Sequence, residues 1–255
     1  MNNRIYVATF SDNAIEEIRK NKLNIELNHL CISENLDKEN IHKTIREINE
    51  DLAASKAPRA IVHGPFTEIC PASIDHLVVE VGLMRLNQAY EACRKIGVDS
   101  MVVHSGHMPL LYFDSWHLEK SLYFWKEFMK DKGDFKIYIE NVFETEPVIM
   151  LNLIEELDDP RIKLCLDIGH ANAVMNAGLT IFDWIETLGK HIGHFHIHNN
   201  DGKHDLHGEL NTGTMDMKKV LEAIDKYCHK DVTMTIESRG CKESINWLKN
   251  KKIIE

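Results

Sequence analysis

The sequence is short of the features that mark several broad protein classes. No apolar run approaches the roughly 20 residues a helix needs to cross a bilayer, so no membrane-spanning role is expected. Basic residues are in deficit: 30 Lys and Arg against 40 Asp and Glu give a formal charge of −10. That sign disfavours a generic nucleic-acid or anionic-membrane surface, although a local basic groove stays open. The six cysteines, at 31, 70, 93, 165, 228 and 241, contain no Cys-x-x-Cys pair and read as reduced thiols. No Gly-x-Gly-x-x-Gly turn follows the first strand-like run, and no Gly-Lys-Ser/Thr loop occurs, so a nucleotide-binding open sheet lacks support. Pro/Gly/Ser-rich linkers, low-complexity segments and short repeats are also absent. The first ten residues enter a strand-like run without the long apolar core of a signal peptide. With the thiols, this sets the expectation of a cytoplasmic protein.

What remains has the size and rhythm of one α/β unit. At 29.4 kDa and 44% hydrophobic residues, the chain can fill a sizeable core, and a single α/β barrel is about this long. Strands are expected at 5–10, 23–30, 59–63, 100–104, 135–140, 162–167, 192–198 and 232–237. Helices are expected at 13–20, 41–55, 74–96, 118–130, 147–157, 217–227 and 244–251, with 171–188 at least partly helical. Within 41–55, Ile41, Ile45, Ile48 and Leu52 recur at helical spacing. Gly97 is placed to cap one helix and Pro147 to open another. Eight strand–helix alternations imply a parallel sheet. Over residues 1–255 they fit a single closed (β/α)8 domain, a TIM barrel. An open doubly wound sheet is the runner-up. No segment reads as a dimerisation module, and the oligomeric state stays open.

The stretch His194-Phe-His-Ile-His-Asn-Asn-Asp-Gly-Lys-His-Asp-Leu-His207 carries the strongest chemical signal. A strand points alternate side chains to one face, so His194, His196 and His198 share one. Buried imidazoles in a row are costly unless something satisfies them. Neutral histidine with carboxylate suits zinc or manganese. In a barrel the chemistry sits at the C-terminal strand ends. There the sequence delivers His63, His104 and Glu140, then Asp167 with His170 three residues on. His196 follows with Asp205 and His207 in its loop, and Glu237 closes the last strand. Each has an ordinary explanation alone: a loop histidine, a salt-bridge partner, a helix N-cap at Asp167. Those explanations would have to hold at six successive strand ends, so a divalent-metal site at the C-terminal mouth is expected. His198, Lys203 and Arg239 are placed beside it as substrate-binding residues. Phe66, Tyr112, Phe113 and Trp116 give the mouth an aromatic character, and His107 and His117 are available to line it. Cys165, two residues before Asp167, points into the barrel as core packing.

These residues resemble the xylose-isomerase-like barrels, which include AP endonuclease family 2 (the endonuclease IV type) and many sugar isomerases and epimerases. The resemblance runs from about the third strand to the eighth. Its strongest elements are Leu164-Cys-Leu-Asp-Ile-Gly-His170 and His196 through Asp205-Leu-His-Gly-Glu209. In endonuclease IV-like proteins nine ligands hold three zinc ions, and all nine have a match. By that resemblance His63 and His104 share one metal with a bridging Glu140. Glu140, Asp167, His196 and Glu237 hold the second, and His170, Asp205 and His207 the third. His196 is preferred to His198 because Asn199 follows it by three residues, as the family pattern requires. The chain also departs from the nucleases. The loop between His196 and Asp205 is shorter, Phe66 replaces a tyrosine, and 105–116 contains no Lys or Arg. DNA binding needs several basic phosphate contacts, so nucleic acid is not the favoured partner.

Two chemistries are compatible with this pattern. The lead expectation is multi-zinc hydrolysis of a phosphate ester, in which clustered cations lower the pKa of water and offset charge on phosphate oxygens. The alternative is isomerisation or epimerisation of a sugar or sugar phosphate. One manganese or magnesium would then be held by Glu140, Asp167, His196 and Glu237. Glu140 and Glu237 would act as the general acid/base pair, and His170 would contact substrate. The acidic composition and aromatic mouth favour a small polyol over a duplex, and fold alone does not decide. A non-catalytic metal-binding barrel is the third class.

Overall fold

In the computed structural model, residues 2–255 are described. Eight parallel strands pair in sequence order and close on themselves: β1 (Ile5–Ala8), β2 (Asn24–Leu27), β3 (Ala60–His63), β4 (Ser100–His104), β5 (Lys136–Glu140), β6 (Ile162–Asp167), β7 (Ile192–Ile197) and β8 (Thr233–Ile236). The ring outside consists of α1 (Ala14–Asn21), α2 (Ile41–Ser55), α3 (His76–Ile96), α4 (Asp114–Met129), α5 (Pro147–Leu157), α6 (Ile168–Val174), α7 (Ile181–Leu188), α8 (Met217–Tyr227) and α9 (Cys241–Asn250). This is the closed (β/α)8 barrel; the open-sheet runner-up is excluded, because β1 pairs with both β2 and β8.

The strands are shorter than the apolar runs suggest, because those runs continue into strand-end loops. β1 stops at Ala8 rather than 10 and β2 spans Asn24–Leu27 rather than 23–30. The segment at 171–188 divides into α6 and α7. Gly178, at φ +96, turns the chain between them. Thr180 and Asp183 then form a reciprocal capping box that starts α7. α4 begins four residues before the expected 118, at Asp114, and α9 three before 244, at Cys241. α3 starts at His76, where the Asp75 side chain caps the Leu77 amide. Gly97 caps the end of α3 in the left-handed region, and Pro147 opens α5.

Two apolar layers hold the barrel. The larger lies between sheet and helices and includes Ile25, Val62, Val103, Phe124, Trp125, Phe195 and Ile236. The smaller joins Tyr6, Ile61, Val102 and Cys165, with Tyr138 packed against them. These five stand at alternate positions from the outward residues, so they fill the inside of the barrel and Cys165 packs there as expected. Two residues further along the same alternation lie Ala8, His63, His104, Glu140 and Asp167. The interior plug and the polar mouth are thus successive layers of one pattern. Among the described residues, no helix is long and apolar enough to cross a membrane.

Candidate metal centre

The strand ends converge. Each residue in the following groups offers a nitrogen or oxygen within 4.8 Å of its partners'. His63, His104 and Glu140 form one group, Glu140, Asp167, His196 and Glu237 a second, and His170, Asp205 and His207 a third. Glu140 stands between the first two. Its Oε2 lies 3.3 Å from His63 Nε2 and 3.5 Å from His104 Nε2, while Oε1 lies 3.1 Å from His196 Nδ1. Glu237 Oε2 approaches the same His196 nitrogen at 3.3 Å and Asp167 Oδ2 at 3.7 Å. His170 Nε2 and His207 Nε2 meet Asp205 Oδ2 at 3.3 and 3.1 Å.

The backbone aims most of these imidazoles. His63 Nδ1 donates to the Gly64 carbonyl at 2.9 Å, His170 Nδ1 to that of Asn141 at 3.0 Å, and His207 Nδ1 to that of Glu237 at 2.8 Å. A carbonyl oxygen only accepts, so in each ring Nδ1 carries a proton and Nε2 is the nitrogen turned to the carboxylates, where a proton or a cation can lie between them. His207 holds this pose at φ +47, a left-handed conformation that is costly for a side chain of this size. Asp167 is both a helix cap and a site residue. Oδ1 accepts the His170 amide at 2.7 Å, leaving Oδ2 toward His196. Asn141 fixes the two strand ends to each other, donating to the Asp167 carbonyl at 3.0 Å and accepting its amide at 2.9 Å.

Burial and mutual charge pull the ionisable groups apart. Burial pushes the Glu237 carboxyl up; His196 opposes this, and Glu26, Glu140 and Asp167 add to the rise. Burial works the same way on Glu140, but His196, His104 and His170 overcome it and hold that carboxyl well below the usual range. Burial also drives His104 down to about 3 against the pull of Glu140. His207 goes the other way: burial alone would lower it, and Asp205, Glu237 and Asp167 raise it to about 9.

A cavity of about 680 Å³ opens above these groups. His63, His104, Glu140, His170, Asp205, His207 and Glu237 lie along its floor and sides, and Phe10, Asn28, Cys31, Ile32 and Phe66 line it too. Arg239 is the one lysine or arginine in the lining, opposed by Asp12.

The sequence pattern of the xylose isomerase-like TIM barrel family matches residues 14–251. The chain belongs to that family. An uncharacterized protein of Methanocaldococcus jannaschii is 26% identical over 205 residues, 76% of this chain and 68% of that one. A probable endonuclease 4 of Mycobacterium ulcerans is 26% identical over 218 residues, 79% of this chain and 83% of that one. The fold also matches a D-tagatose 3-epimerase-like protein with a TM-score of 0.77 at 23% identity, covering 98% of this chain and 96% of that one. At that identity the likeness is one of fold.

The donors fit divalent cations. Glu26, Glu140, Asp167 and Glu237 are buried without a lysine or arginine among their partners, and Glu140 Oε2 has no hydrogen-bond donor. Imidazole nitrogen with carboxylate oxygen is the donor set of zinc and manganese.

Four sets of residues expected at this mouth lie wholly or partly outside the cavity lining. His198 is not in the cavity lining. It is fully buried behind Asp167, with Nε2 3.1 Å from Oδ1. Lys203 is exposed on a turn organised by Asp201 and lies outside the cavity. Of the four expected aromatics only Phe66 lines it. Trp116 stacks on Tyr112 and donates to the Ala72 carbonyl, and Phe113 is 85% exposed. His107 and His117 form a buried pair, rings 4.9 Å apart, outside the lining. Arg239 does line it. The residue that sequence reasoning passed over is Glu26, fully buried on β2 with Oε1 3.0 Å from His196 Nε2. Its one signal was a carboxylate inside the apolar run Ile25-Glu26-Leu27.

A Cβ at Gly169 would overlap the His198 ring, so Gly169→Ala should push that imidazole off Asp167. The expected loss is about 1–3 kcal/mol in thermal or denaturant unfolding; an unchanged midpoint would contradict this packing. Because His207 is raised to about 9, it is protonated at neutral pH and must lose that proton to coordinate. His170 is raised as well, so cation binding at His170–Asp205–His207 should strengthen at least about tenfold per pH unit from 7 toward 9, and more where both rings give up a proton. Calorimetry in buffers of differing ionisation enthalpy should show the released proton.

Proposed function

We propose that this chain is a divalent-cation-dependent isomerase or epimerase acting on a small polyhydroxylated carbonyl compound, a sugar or sugar derivative. One observation carries the reading. Two carboxyls, Glu140 and Glu237, flank the same His196 nitrogen at 3.1 and 3.3 Å, and their surroundings push one down and the other up. Titratable neighbours driven apart in this way mark a base and an acid. A cation among Glu140, Asp167, His196 and Glu237 would polarise the substrate carbonyl and its neighbouring hydroxyl. Glu140, held ionised, is the group suited to take a proton from the adjacent carbon. Glu237, pushed toward the protonated form, is suited to return one from the other side. The cavity agrees: its volume suits a small ligand, and a single arginine is too little positive charge for a duplex backbone. The similarity to a D-tagatose 3-epimerase-like protein supports the same reading.

A second reading, phosphate-ester hydrolysis, is favoured by a specific observation. His63, His104, His170, Asp205 and His207 complete two further groups that a single-cation isomerase does not require. The similarity to a probable endonuclease 4 points the same way.

Metal analysis and activity separate the two. The isomerase reading expects one tightly held cation after chelator dialysis and turnover on a panel of aldoses and ketoses. Glu140→Gln and Glu237→Gln should each cost about 100-fold or more, whereas His63→Ala should leave that turnover within a few-fold. Three tightly held zinc ions, with hydrolysis of small phosphate esters abolished by His63→Ala, would overturn it.

A further inference from the structure

His196 is aimed differently from the other imidazoles of the mouth. His63, His170 and His207 each donate Nδ1–H to a backbone carbonyl and present Nε2. His196 presents Nδ1 to Glu140, Glu237 and Asp167, and its Nε2 meets a side chain, the Glu26 carboxylate, at 3.0 Å. An ionised carboxylate only accepts, so Nε2 carries a proton toward Glu26 and Nδ1 is the nitrogen left for a cation among the carboxyl quartet. Glu26 is fully buried, and its other oxygen accepts the Thr235 hydroxyl and lies 3.3 Å from His194 Nε2. The two histidines depend on Glu26 unequally. His194 keeps Thr233 at 2.6 Å and Thr235 at 2.8 Å without it. His196 Nε2 has no other hydrogen-bond partner.

We infer that Glu26 is a positioning residue for a cation held by Glu140, Asp167, His196 and Glu237: it fixes the ring and tautomer of His196 and thereby sets the affinity of that quartet. A carboxylate behind an imidazole also makes it a more basic ligand than a carbonyl does. Glu26 therefore distinguishes the central group from the outer two. The inference rests on the reading that a cation occupies the quartet, and is independent of which reaction follows.

The test uses the full chain, stripped with chelator and titrated with zinc or manganese chloride against a competing indicator. Glu26→Ala should weaken the tightest cation about 10–100-fold. Glu26→Gln, which retains an acceptor for His196 Nε2–H, should recover part of that loss. Neither should alter the pH-dependent binding at His170–Asp205–His207, which His207→Ala removes as a reference. Melting of the cation-free Glu26→Gln protein, which loses the charge of the Glu26–His196 pair and keeps an acceptor, reads the structural share separately. Should Glu26→Ala fail to fold, Glu26→Gln carries the test alone, with an expected loss of several-fold. Central-cation affinity within about twofold of the unaltered protein, with a lowered melting temperature, would show Glu26 to be structural only and overturn the inference. An unaltered protein that binds no cation would instead overturn the reading beneath it, and this inference with it.

Discussion

Four carboxylates with no lysine or arginine beside them set the terms for the whole barrel mouth. Glu26, Glu140, Asp167 and Glu237 are each less than 5% exposed, and their neighbours are imidazoles, hydroxyls and amides. Removing an ion from water costs several kcal/mol unless opposite charge or hydrogen bonds replace the solvent. Histidines supply part of that compensation, and a divalent cation is the group best matched to the remainder. Convergent negative charge also has to be held in place. The short parallel strands do this, since each fixes one or two mouth residues by its register: Glu140 opposite His104, and Asp167 opposite His196.

Much of this was legible in the sequence, for a physical reason. Apolar runs that end in a single polar residue are the signature of a barrel strand reaching its mouth. His63, His104, Glu140, Asp167 and His196 all close strands in this way, or stand one residue short of doing so. What escaped notice lacked that contrast. Glu26 stands one residue before the end of its strand, and a lone glutamate resembles any surface carboxylate until closure brings β7 and β8 to it. His198 follows His196 at the strand period and reads as its twin. The strand ends at Ile197, however, and the ring turns behind Asp167. The mouth aromatics failed because loop position along the chain does not report which way a loop folds. Tyr112 and Trp116 pack on each other, and Phe10, from the first loop, takes a place in the lining.

Membership of the xylose isomerase-like family fixes the scaffold and leaves the chemistry to the lining. Here the loops after β1 and β2 supply Phe10, Asn28, Cys31 and Ile32 to a cavity whose other residues are imidazoles and carboxylates with Phe66 and Arg239. Asn28 is itself oriented by Thr9, whose amide and hydroxyl both donate to its Oδ1 at 2.9 and 3.2 Å. The apolar residues come mainly from the β1–β3 side, and the imidazoles and carboxylates from the strand ends from β3 round to β8.

The pinning of His63, His170 and His207 on main-chain carbonyls has a consequence for how such a site can drift over time. A carbonyl belongs to every residue type, so no substitution at Gly64, Asn141 or Glu237 deletes the acceptor. The aim of those three rings is inherited with the backbone trace and is insulated from neutral change in the side chains around it. His196 has no such insurance. A substitution at position 26 reaches it directly, so the aim of this one ring depends on the identity of a single side chain where the aim of the others does not.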